Sequence, residues 1–507
     1  MGVRQLVTHF TRRGIFQRYE TARPNRLRTL TESPGDANRN QSEAKGTLWR
    51  QARHLDENHD LIHGVLNILV NNTVGPKGIQ VEPQPRLANG DIAADFVDEL
   101  LDLYKDWSRR PEVTWEYTRP QMERIIARSL YRDGEVFVHH VGGHKRGLDH
   151  GSVVPYSLEL LESDFCPYDL PLGGYEDNVI SGIVRNQWGR PTGFKIYKQH
   201  PGAQSSYNTE VKTVRAELIS HMKLTTRIGQ ARGTSILAPV LTRLHDLRDY
   251  EQSEQIAARI SAAQAYAIIK GSPDMYTPEV GIPGEEEPEE EYREFEVAPG
   301  AVWDDLLPGE TVSDITPSRP SALLQPFRDA MMKAIAAGTS VSYSTANRDY
   351  SGTYSAQRQE QVEQYSNYAT LQGNFVSQYS IPTWHRFVGI AISSGMVKLP
   401  AGLKMETLLD AEYRGPVIPW IDPAKEATAN VEQVRAGFKS QSQVIRERGD
   451  NPSAVMAEII KERRFAEEND LKFTTTLTEV EEAPDGNAKD ETSSEDKGVR
   501  TQGTGKD

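Results

Sequence analysis

One apolar stripe constrains this chain more than any other feature of its sequence. It runs through residues 235–270 and recurs every three to four residues, which is the spacing of one face of an α-helix. At 1.5 Å per residue such a helix would be roughly 50 Å long. Because an isolated helix with so long an apolar face is not stable, we expect it to pack against a long partner, in this chain or in another copy. The stripe consists of Leu237, Val240, Leu241, Leu244, Leu247, Ile256, Ile260, Ala263 and Ala267.

Before this stripe, the spacing of the apolar residues changes from helical to alternating. Helical spacing predicts three helices, at residues 47–75, 92–107 and 119–133. Alternating runs then predict four strands, at residues 135–141, 156–161, 179–185 and 192–197. Glycine-rich turns separate the strands, and Trp188–Pro191 is one of them. This order of elements indicates an α+β region with an antiparallel sheet.

An acidic segment follows the stripe, within the proline- and glycine-rich residues 272–320. Eight carboxylates lie among the twelve residues Glu285–Glu296. Because like charges repel, the segment is expected to be a disordered loop; a metal ion or a basic partner is the alternative. The partner-facing residues would be Glu285, Glu286, Glu287, Glu289, Glu290 and Glu291.

Two predicted helices then flank a loop of small hydroxylated residues. The first covers residues 321–337, and the second covers residues 354–395, where Pro382 is expected to kink or break it. The loop between them carries one adjacent pair of charges, Arg348 and Asp349. Its candidate contact residues are Ser340, Ser342, Tyr343, Ser344, Asn347, Arg348, Tyr350 and Tyr354.

The C-terminal part reads as three helices and a tail. The helices are expected at residues 422–437, 440–449 and 451–469, and both Asp422-Pro423 and Asn451-Pro452 combine an N-cap with a first-turn proline. From about Thr474 the chain has no aromatic residue and is rich in acidic and small polar residues, which predicts disorder.

The net charge of −14 is unevenly distributed. Residues 1–56 hold eleven Arg and Lys against five Asp and Glu, which favours a solvated arm or an assembly contact over a transit segment or a nucleic-acid arm. The acidic remainder argues against tight DNA binding, since neutralising phosphates supplies most non-specific affinity. No apolar run is long enough to predict a transmembrane helix, and the first twenty residues do not resemble a secretory signal.

A search for enzyme chemistry finds no specific motif. The chain has neither a P-loop nor a Gly-x-Ser-x-Gly elbow. Its one cysteine, Cys166, has no motif around it and is expected to be buried or idle. Two histidine groups are not expected to bind zinc, which needs three or four converging ligands, and the second group is expected at the surface. They are His139, His140, His144 and His150, and His54, His59 and His63. We therefore predict no catalytic residue, metal or cofactor.

The hydroxyl-rich loop is more suggestive of nucleic acid. A loop with several hydroxyls, and with Arg348 and Asp349 as its only charges, could touch phosphate oxygens weakly and without reading sequence. Such weak contact permits sliding, whereas a row of lysines would bind DNA strongly.

Six short motifs follow one another along the chain. They are NNTVGPKGI at 71–79, RDGEVF at 132–137, ISGIV with GRP at 180–191, ISHM with RIGQARGTS at 219–235, YS with SAQR at 343–358 and WIDPAKE at 420–426. In this order they resemble the portal proteins of tailed bacteriophages, most closely the lambda-like portal family. The resemblance covers about residues 50–470; the sequence departs from the family at Ser351–Ser355 and in the acidic segment.

This resemblance implies a mainly helical α+β portal fold that forms a ring of about twelve copies at one capsid vertex. Double-stranded DNA would pass through the ring during packaging and ejection, without catalysis by this chain. The implied partners are the terminase large subunit, the major capsid or scaffold protein and the head–tail connector proteins, with no membrane. The protein would assemble in the cytoplasm of a bacterial host and remain in the virion.

The resemblance also implies a division of the chain. The parts would be a basic arm (1–49), wing (50–235), stem helix (236–270), clip (271–320), second stem helix (321–337), tunnel loop (338–357), kinked helix and return to the wing (358–422), crown (423–473) and acidic tail (474–507). The alternative is a head–tail connector, a ring protein without a DNA-gating role. Connectors are usually much shorter, so the long paired helices argue against it.

Overall fold

The architecture comes from a computed structural model that describes residues 35–169, 178–203, 210–262, 266–269, 311–314, 324–417 and 423–471. The chain divides into two compact units, residues 1–427 and 428–507. The acidic segment, the basic residues before Gly35 and the tail after Leu471 lie outside the described residues, as does the predicted N-cap Asp422.

Helices dominate the described residues. In chain order they are α1 (Ala37–Asn58), α2 (Asp60–Thr73), α3 (Ala94–Trp107), α4 (Arg119–Asp133), α5 (Leu241–Ala262), α6 (Leu324–Thr339), α7 (Tyr343–Asn347), α8 (Tyr354–Phe375), α9 (Ile381–Ser393), α10 (Pro423–Arg435), α11 (Gln441–Glu447) and α12 (Pro452–Glu468). None of the helices in these residues is long and apolar enough to cross a lipid bilayer.

The strands form antiparallel pairs throughout the described chain, as predicted for the first half. They assemble into two larger sheets, β3-β2-β8 and β4-β5-β6-β7, and two pairs, β1-β11 and β9-β10. In chain order they are β1 (Gln80–Pro83), β2 (Glu135–Gly142), β3 (Tyr156–Leu161), β4 (Val179–Ile180), β5 (Ile183–Arg185), β6 (Pro191–Tyr197), β7 (Val211–Arg215), β8 (Ile219–Lys223), β9 (Tyr266–Ile269), β10 (Thr311–Asp314) and β11 (Ala411–Arg414).

Helix α4 begins and ends where its sequence predicts. Thr118 forms a capping box with Gln121, and Pro120 lies in the first turn, where a missing N–H costs nothing. Gly134 ends the helix at φ +90°, a conformation that glycine adopts without strain. Local signals at both ends therefore determine this element.

Two elements differ from the prediction because the backbone turns inside them. The predicted helix 47–75 is divided at His59, whose extended backbone (φ −126°, ψ 110°) ends α1 and begins α2. His59 is also buried rather than at the surface. The predicted strand 179–185 is a tight hairpin of β4 and β5, with Ser181 and Gly182 at positive φ between them.

The helix predicted over residues 235–270 is shorter than its apolar stripe. Helix α5 ends at Ala262, and Tyr266–Ile269 forms strand β9, which pairs with β10. The prediction failed at this end because Tyr-Ala-Ile-Ile, whose isoleucines are β-branched, finds a strand partner more than forty residues away. Helix α5 packs beside α6, and Val240, directly before α5, lies so close to Gly338 that an added Cβ would meet its Cγ1 at 2.4 Å.

Helices α8 and α9 are continuous through one π-helical turn, Val376–Ser380. The Ile381 N–H bonds to the Val376 carbonyl, and Pro382 follows in the first turn of α9. A wider turn fits because a proline cannot donate to the carbonyl four residues back and its ring would clash with it. The expected kink or break at Pro382 is thus a local widening.

One large core cluster and one smaller cluster lie within residues 1–427. The large one joins the helices to β2 and β3, and its largest fully buried side chains include Trp107, Trp384 and Tyr131. The smaller one lies between the two larger sheets around Phe137, Phe194 and Ile196. Aromatic packing continues through Tyr104, which contacts Trp107 and Trp384 at centroid distances of 5.3 Å.

Helices α10, α11 and α12 match the helices predicted for the C-terminal part within about two residues at each end, and α11 and α12 lie in the second unit. Asn451 caps α12, its side chain accepting bonds from the backbone of Ser453 and Ala454. Ser440 caps α11 in the same way through Gln443. Within this unit Phe438, Ile460 and Phe465 are largely exposed.

Candidate functional site

The hydroxyl-rich loop enters from α6 through residues that are anchored in the core. Thr339 is fully buried, and its hydroxyl donates to the Ile335 carbonyl at 2.9 Å. Ser340 is exposed and has a positive φ of 58°. Val341 is buried again, with its N–H on the Ala336 carbonyl at 3.1 Å. The entrance to the loop is thus held in place, and only Ser340 faces outward there.

The loop contains a short helix, α7, which the sequence analysis did not predict. Ser342 caps it by accepting from the Thr345 N–H. The Ser344 hydroxyl donates to Glu360 Oε2 of α8 at 2.7 Å. Residues 342–345 are therefore committed to contacts inside the chain. The signal for this helix was the hydroxyl at Ser342, three residues before Thr345, which is an N-cap spacing.

Tyr343 and Asn347 also point inward. The Tyr343 hydroxyl donates to Asp329 Oδ1 at 3.1 Å and accepts from Asn347 Nδ2 at 3.2 Å. Asn347 Oδ1 accepts in turn from Arg328 at 3.3 Å, and Arg328 pairs with Glu251 of α5 at 2.7 Å. Burial and the neighbouring Asp329 raise the pKa of Tyr343, so its phenol stays protonated at neutral pH.

The tip of the loop, by contrast, faces solvent. Arg348 ends α7 at φ +53° and is exposed, as are Asp349 and Tyr350. The Ser351 hydroxyl and the Ser351 N–H, which bonds to Asp349 Oδ1 at 3.1 Å, lower the pKa of this carboxylate, which stays charged. The side chain of Tyr354 lies outside the described residues. Of the eight candidate contact residues, the structure leaves Ser340, Arg348 and Tyr350 exposed.

The surface that continues from the tip along α8 carries few charges. Between Ser340 and Asn374 the charged residues are Arg348, Asp349, Arg358, Glu360 and Glu363. Two of these side chains already have partners within the chain, because Glu360 accepts a hydrogen bond from Ser344 and Arg358 lies 3.3 Å from Glu426. The remainder is mostly glutamine, serine, asparagine, alanine and tyrosine. Such a surface offers weak polar contacts and little electrostatic attraction.

Three of the four histidines of the β2–β3 hairpin, His139, His140 and His150, contact protein partners. His140 lies between the Tyr156 hydroxyl (2.7 Å) and the Ser220 hydroxyl (2.8 Å). His150 contacts the Ser157 hydroxyl at 2.9 Å, and His139 contacts Glu159 at 2.7 Å. Both nitrogens of His140 are engaged, so it has no free ligand atom for a metal.

Burial lowers the pKa of His140 to about 3, and Arg386 and His139 add to the effect. In the unfolded chain His140 has its ordinary pKa of 6.5, so below that pH the unfolded state binds a proton that the folded state does not. The free energy of unfolding therefore decreases as the pH falls below about 6.5. From pH 6.5 to 5 this histidine should cost about 2 kcal/mol of unfolding free energy. Urea unfolding at several pH values measures this slope, and His140→Gln should flatten it; an equal slope in both proteins would contradict the assignment.

A second group, Glu162, Asp164 and His200, places possible ligand atoms within 4.8 Å of one another. His200 Nδ1 accepts from the Gly202 N–H at 3.0 Å, so the proton of the neutral ring is on Nε2, which faces Glu162 at 3.4 Å. Asp164 is already bound by Arg53. A metal would have to displace that proton and compete with Arg53, so this group is better described as an ion-pair network.

Cys166 is buried, as predicted, and burial raises the pKa of its thiol to about 11. It lies beside a buried charge cluster, defined here as Arg232, Glu135 and His221, that the sequence analysis did not identify. The Arg232 Nε donates to both Glu135 oxygens at 2.8 Å, and His221 Nε2 lies 2.9 Å from Glu135 Oε2. The available signal was an arginine placed directly before Gly233 in the RIGQARG motif.

This charge cluster is fully satisfied by its surroundings. Arg232 also donates to the carbonyls of Ser163, Cys166 and Ser181 at 2.9–3.0 Å, and its side chain has no exposed surface. Although burial alone would raise the pKa of Glu135, Arg232 and His221 hold it at about 2. The cluster therefore joins the β2–β8 edge to the hairpin of β4 and β5.

Comparison with known proteins identifies the chain. The family model "Phage portal protein, lambda family" matches residues 23–372. A probable portal protein of Halomonas phage phiHAP-1 is 25% identical over 464 residues, covering 88% of this chain and 86% of the relative. Portal protein B of Escherichia phage lambda is 23% identical over 316 residues, covering 57% of this chain and 59% of that protein.

Among solved structures, a chain from the neck of a native GTA particle, computed with C12 symmetry, has a TM-score of 0.43 at 14% identity, covering 81% of this chain and 94% of that one. A chain from the virion of a native gene transfer agent particle has the same TM-score at 15% identity. The family model alone spans more than half of the 507 residues. The chain belongs to the lambda family of phage portal proteins.

Proposed function

We propose that this portal protein forms a ring of about twelve copies at one capsid vertex, and that double-stranded DNA passes through the ring during packaging and ejection. The observation that carries this proposal is the weakly charged surface from Ser340 to Asn374, in a chain whose net charge is −14. A channel must contact DNA without holding it. Neutral polar side chains meet that need, because strong binding to DNA comes from neutralised phosphates.

The exposed tip of the loop, Arg348–Tyr350, is the part that would face DNA. Arg348 is followed directly by Asp349, so the attraction of one charge to phosphate is offset by the repulsion of the other. Ser342, Tyr343, Ser344 and Asn347 would instead hold the loop in shape through Asp329, Arg328 and Glu360. The loop thus acts as a positioned, weakly interacting lining.

The remaining elements take their roles from the portal family. The region of α1–α4 and β2–β8 would form the wing, α5 and α6 the stem, and α10–α12 the crown. Residues 271–320 would form the clip that docks the terminase large subunit and later the head–tail connectors, with Glu285–Glu291 facing a basic partner. The capsid or scaffold protein would surround the ring, which is assembled in the bacterial cytoplasm and kept in the virion.

Asp349→Lys tests the lining. It should leave rings of unchanged mass but slow DNA packaging at low salt, because each new phosphate contact adds about one unit to the salt slope. Mass photometry measures the rings, and packaging into procapsids with purified terminase measures the rate at several salt concentrations. Asp98→Lys, on an exposed position of α3, is the matched control.

Two results would contradict the proposal. If the wild-type chain stays monomeric under all assembly conditions, the ring is wrong. If rings form but Asp349→Lys packages like Asp98→Lys at every salt concentration, the loop tip is not part of the DNA path.

A further inference from the structure

Trp188 is the most exposed tryptophan among the described residues, and it occupies the tip of a hairpin. Its side chain is 86% exposed, between strands β5 and β6. Tryptophan is seldom left so open on a monomer, and it is the side chain most enriched where proteins bind each other strongly. An isolated exposed tryptophan on a well-ordered turn therefore needs an explanation.

The turn that carries Trp188 is held by its own hydrogen bonds. Asn186 Oδ1 accepts from the N–H groups of Trp188 (3.0 Å) and Arg190 (2.9 Å). The Asn186 N–H bonds to the Arg190 carbonyl at 2.9 Å, and Gly189 takes the positive φ of 77° that this turn requires. The indole is thus presented on a preorganised support, which lowers the entropic cost of binding.

A cleft of complementary chemistry lies elsewhere in the same unit. It is open, measures about 250 Å³, and is lined by aromatic and proline side chains and by the buried Cys166. Tyr168 lines it, and Lys45 Nζ and Arg232 Cζ lie 3.7 Å and 4.0 Å from the centre of its ring. The aromatic and proline side chains are Trp49, Tyr168, Tyr197, Pro167 and Pro201.

The charges at the two places also match. Arg190 is exposed two residues after Trp188. The cleft carries two carboxylates, Asp164 and Asp169, and Asp169 is 79% exposed although Lys45 contacts it at 3.1 Å. A tryptophan followed by an arginine would meet an aromatic cleft with an acidic edge.

Trp188 cannot fill the cleft of its own chain. Strand β6 begins at Pro191, beside the hairpin tip, and ends at Tyr197, which lines the cleft. Seven residues of strand separate the two by roughly 20 Å. Trp188 and the cleft therefore lie at opposite ends of one sheet, an arrangement that suits head-to-tail contact between copies. Such contacts give a ring when their rotation closes.

We propose that Trp188 of one copy inserts into this cleft of the next copy, with Arg190 against Asp169, and that this contact joins neighbours around the ring. The inference rests on the ring assembly proposed above and names one of its contacts.

Disulfide trapping tests the contact directly. The background is Cys166→Ala, because Cys166 lines the cleft and could itself be trapped. In this background a chain carrying both Gln187→Cys, an exposed position that leaves Trp188 in place, and Pro201→Cys should, once assembled and oxidised, give a covalent ladder up to the full ring on a non-reducing gel. Each single variant should stop at dimers, since it offers one thiol per chain. Gln187→Cys combined with Asn89→Cys, an exposed residue that does not line the cleft, is the matched control.

The strength of the contact is measured with Trp188→Ala. This variant should raise the concentration needed for half-assembly by about tenfold or more, as expected for a buried tryptophan anchor. Its thermal unfolding as a monomer should be unchanged, because the side chain is exposed there. Ile228→Ala, another fully exposed apolar residue, should change assembly much less. Rings that form without a ladder and without loss in Trp188→Ala would overturn this contact while leaving the ring intact; the absence of rings would overturn both proposals.

Discussion

Gly233→Ala is expected to prevent the N-terminal unit from folding. An ideal Cβ on Gly233 would lie 1.9 Å from the Gly134 carbonyl oxygen, far closer than two non-bonded atoms can approach. Gly134 is equally confined from the other side, since its own Cβ would meet the Thr234 carbonyl carbon at 2.3 Å. Both obstacles are backbone, so no side-chain rotation relieves them. We expect a loss of more than about 4 kcal/mol, the range of the most severe single substitutions.

The measurement is urea unfolding of the soluble chain, or its recovery in the soluble fraction when too little folds. Gly46→Ala is the matched control, because Gly46 lies inside α1 with nothing within 4 Å of an added Cβ. It should stabilise the chain by roughly 0.5–1 kcal/mol, the ordinary gain of alanine over glycine in a helix. A Gly233→Ala protein that unfolds at the wild-type urea concentration would show that the two backbones do not cross here.

Arg232→Met is expected to be the second severe substitution. It leaves the fully buried Glu135 without its main counter-charge, and breaking a buried pair by removing one partner typically costs about 3–5 kcal/mol. It also removes donors from the carbonyls of Ser163, Cys166 and Ser181. The free energy of unfolding at neutral pH measures the loss.

Two further variants separate the contribution of the buried charge from that of side-chain packing. Adding Glu135→Gln to Arg232→Met should recover part of the loss, because the buried carboxylate is then neutral. Arg39→Met breaks an exposed pair with Glu43, whose side chains are 78% and 66% accessible, and should cost well under about 1 kcal/mol. If Arg232→Met cost no more than Arg39→Met, the charge cluster would not be a stabilising element.

Elements with local signals were predictable from the sequence, and elements that depend on distant partners were not. Helix α4 has Thr118 and Gly134 at its ends, and α12 has Asn451 and Pro452, so both were located within a residue or two. The end of α5 was wrong because the pairing of β9 with β10 outweighs helical spacing. Strand β11 was missed because its partner, β1, lies far away in the sequence.

The candidate site follows the same division. Its position between two helices, and its low charge, could be read from residues 338–357. The inward orientation of Tyr343 and Ser344 could not, because their partners Asp329 and Glu360 come from the flanking helices. The charge cluster around Arg232 was likewise hidden, since it combines residues from three separate segments.

The pairing of β1 with β11 has a consequence for synthesis of the chain. Gln80 pairs with Arg414, and Gln372 bonds Asn72 across a similarly long interval of 300 residues while also bonding Pro416. The ribosome needs roughly 15–65 s to make the intervening residues. During that time the edge of β1 and the adjoining apolar surface wait without a partner. Nascent copies therefore have a long period in which they could aggregate, and the host's chaperones would be needed most before residue 416 emerges.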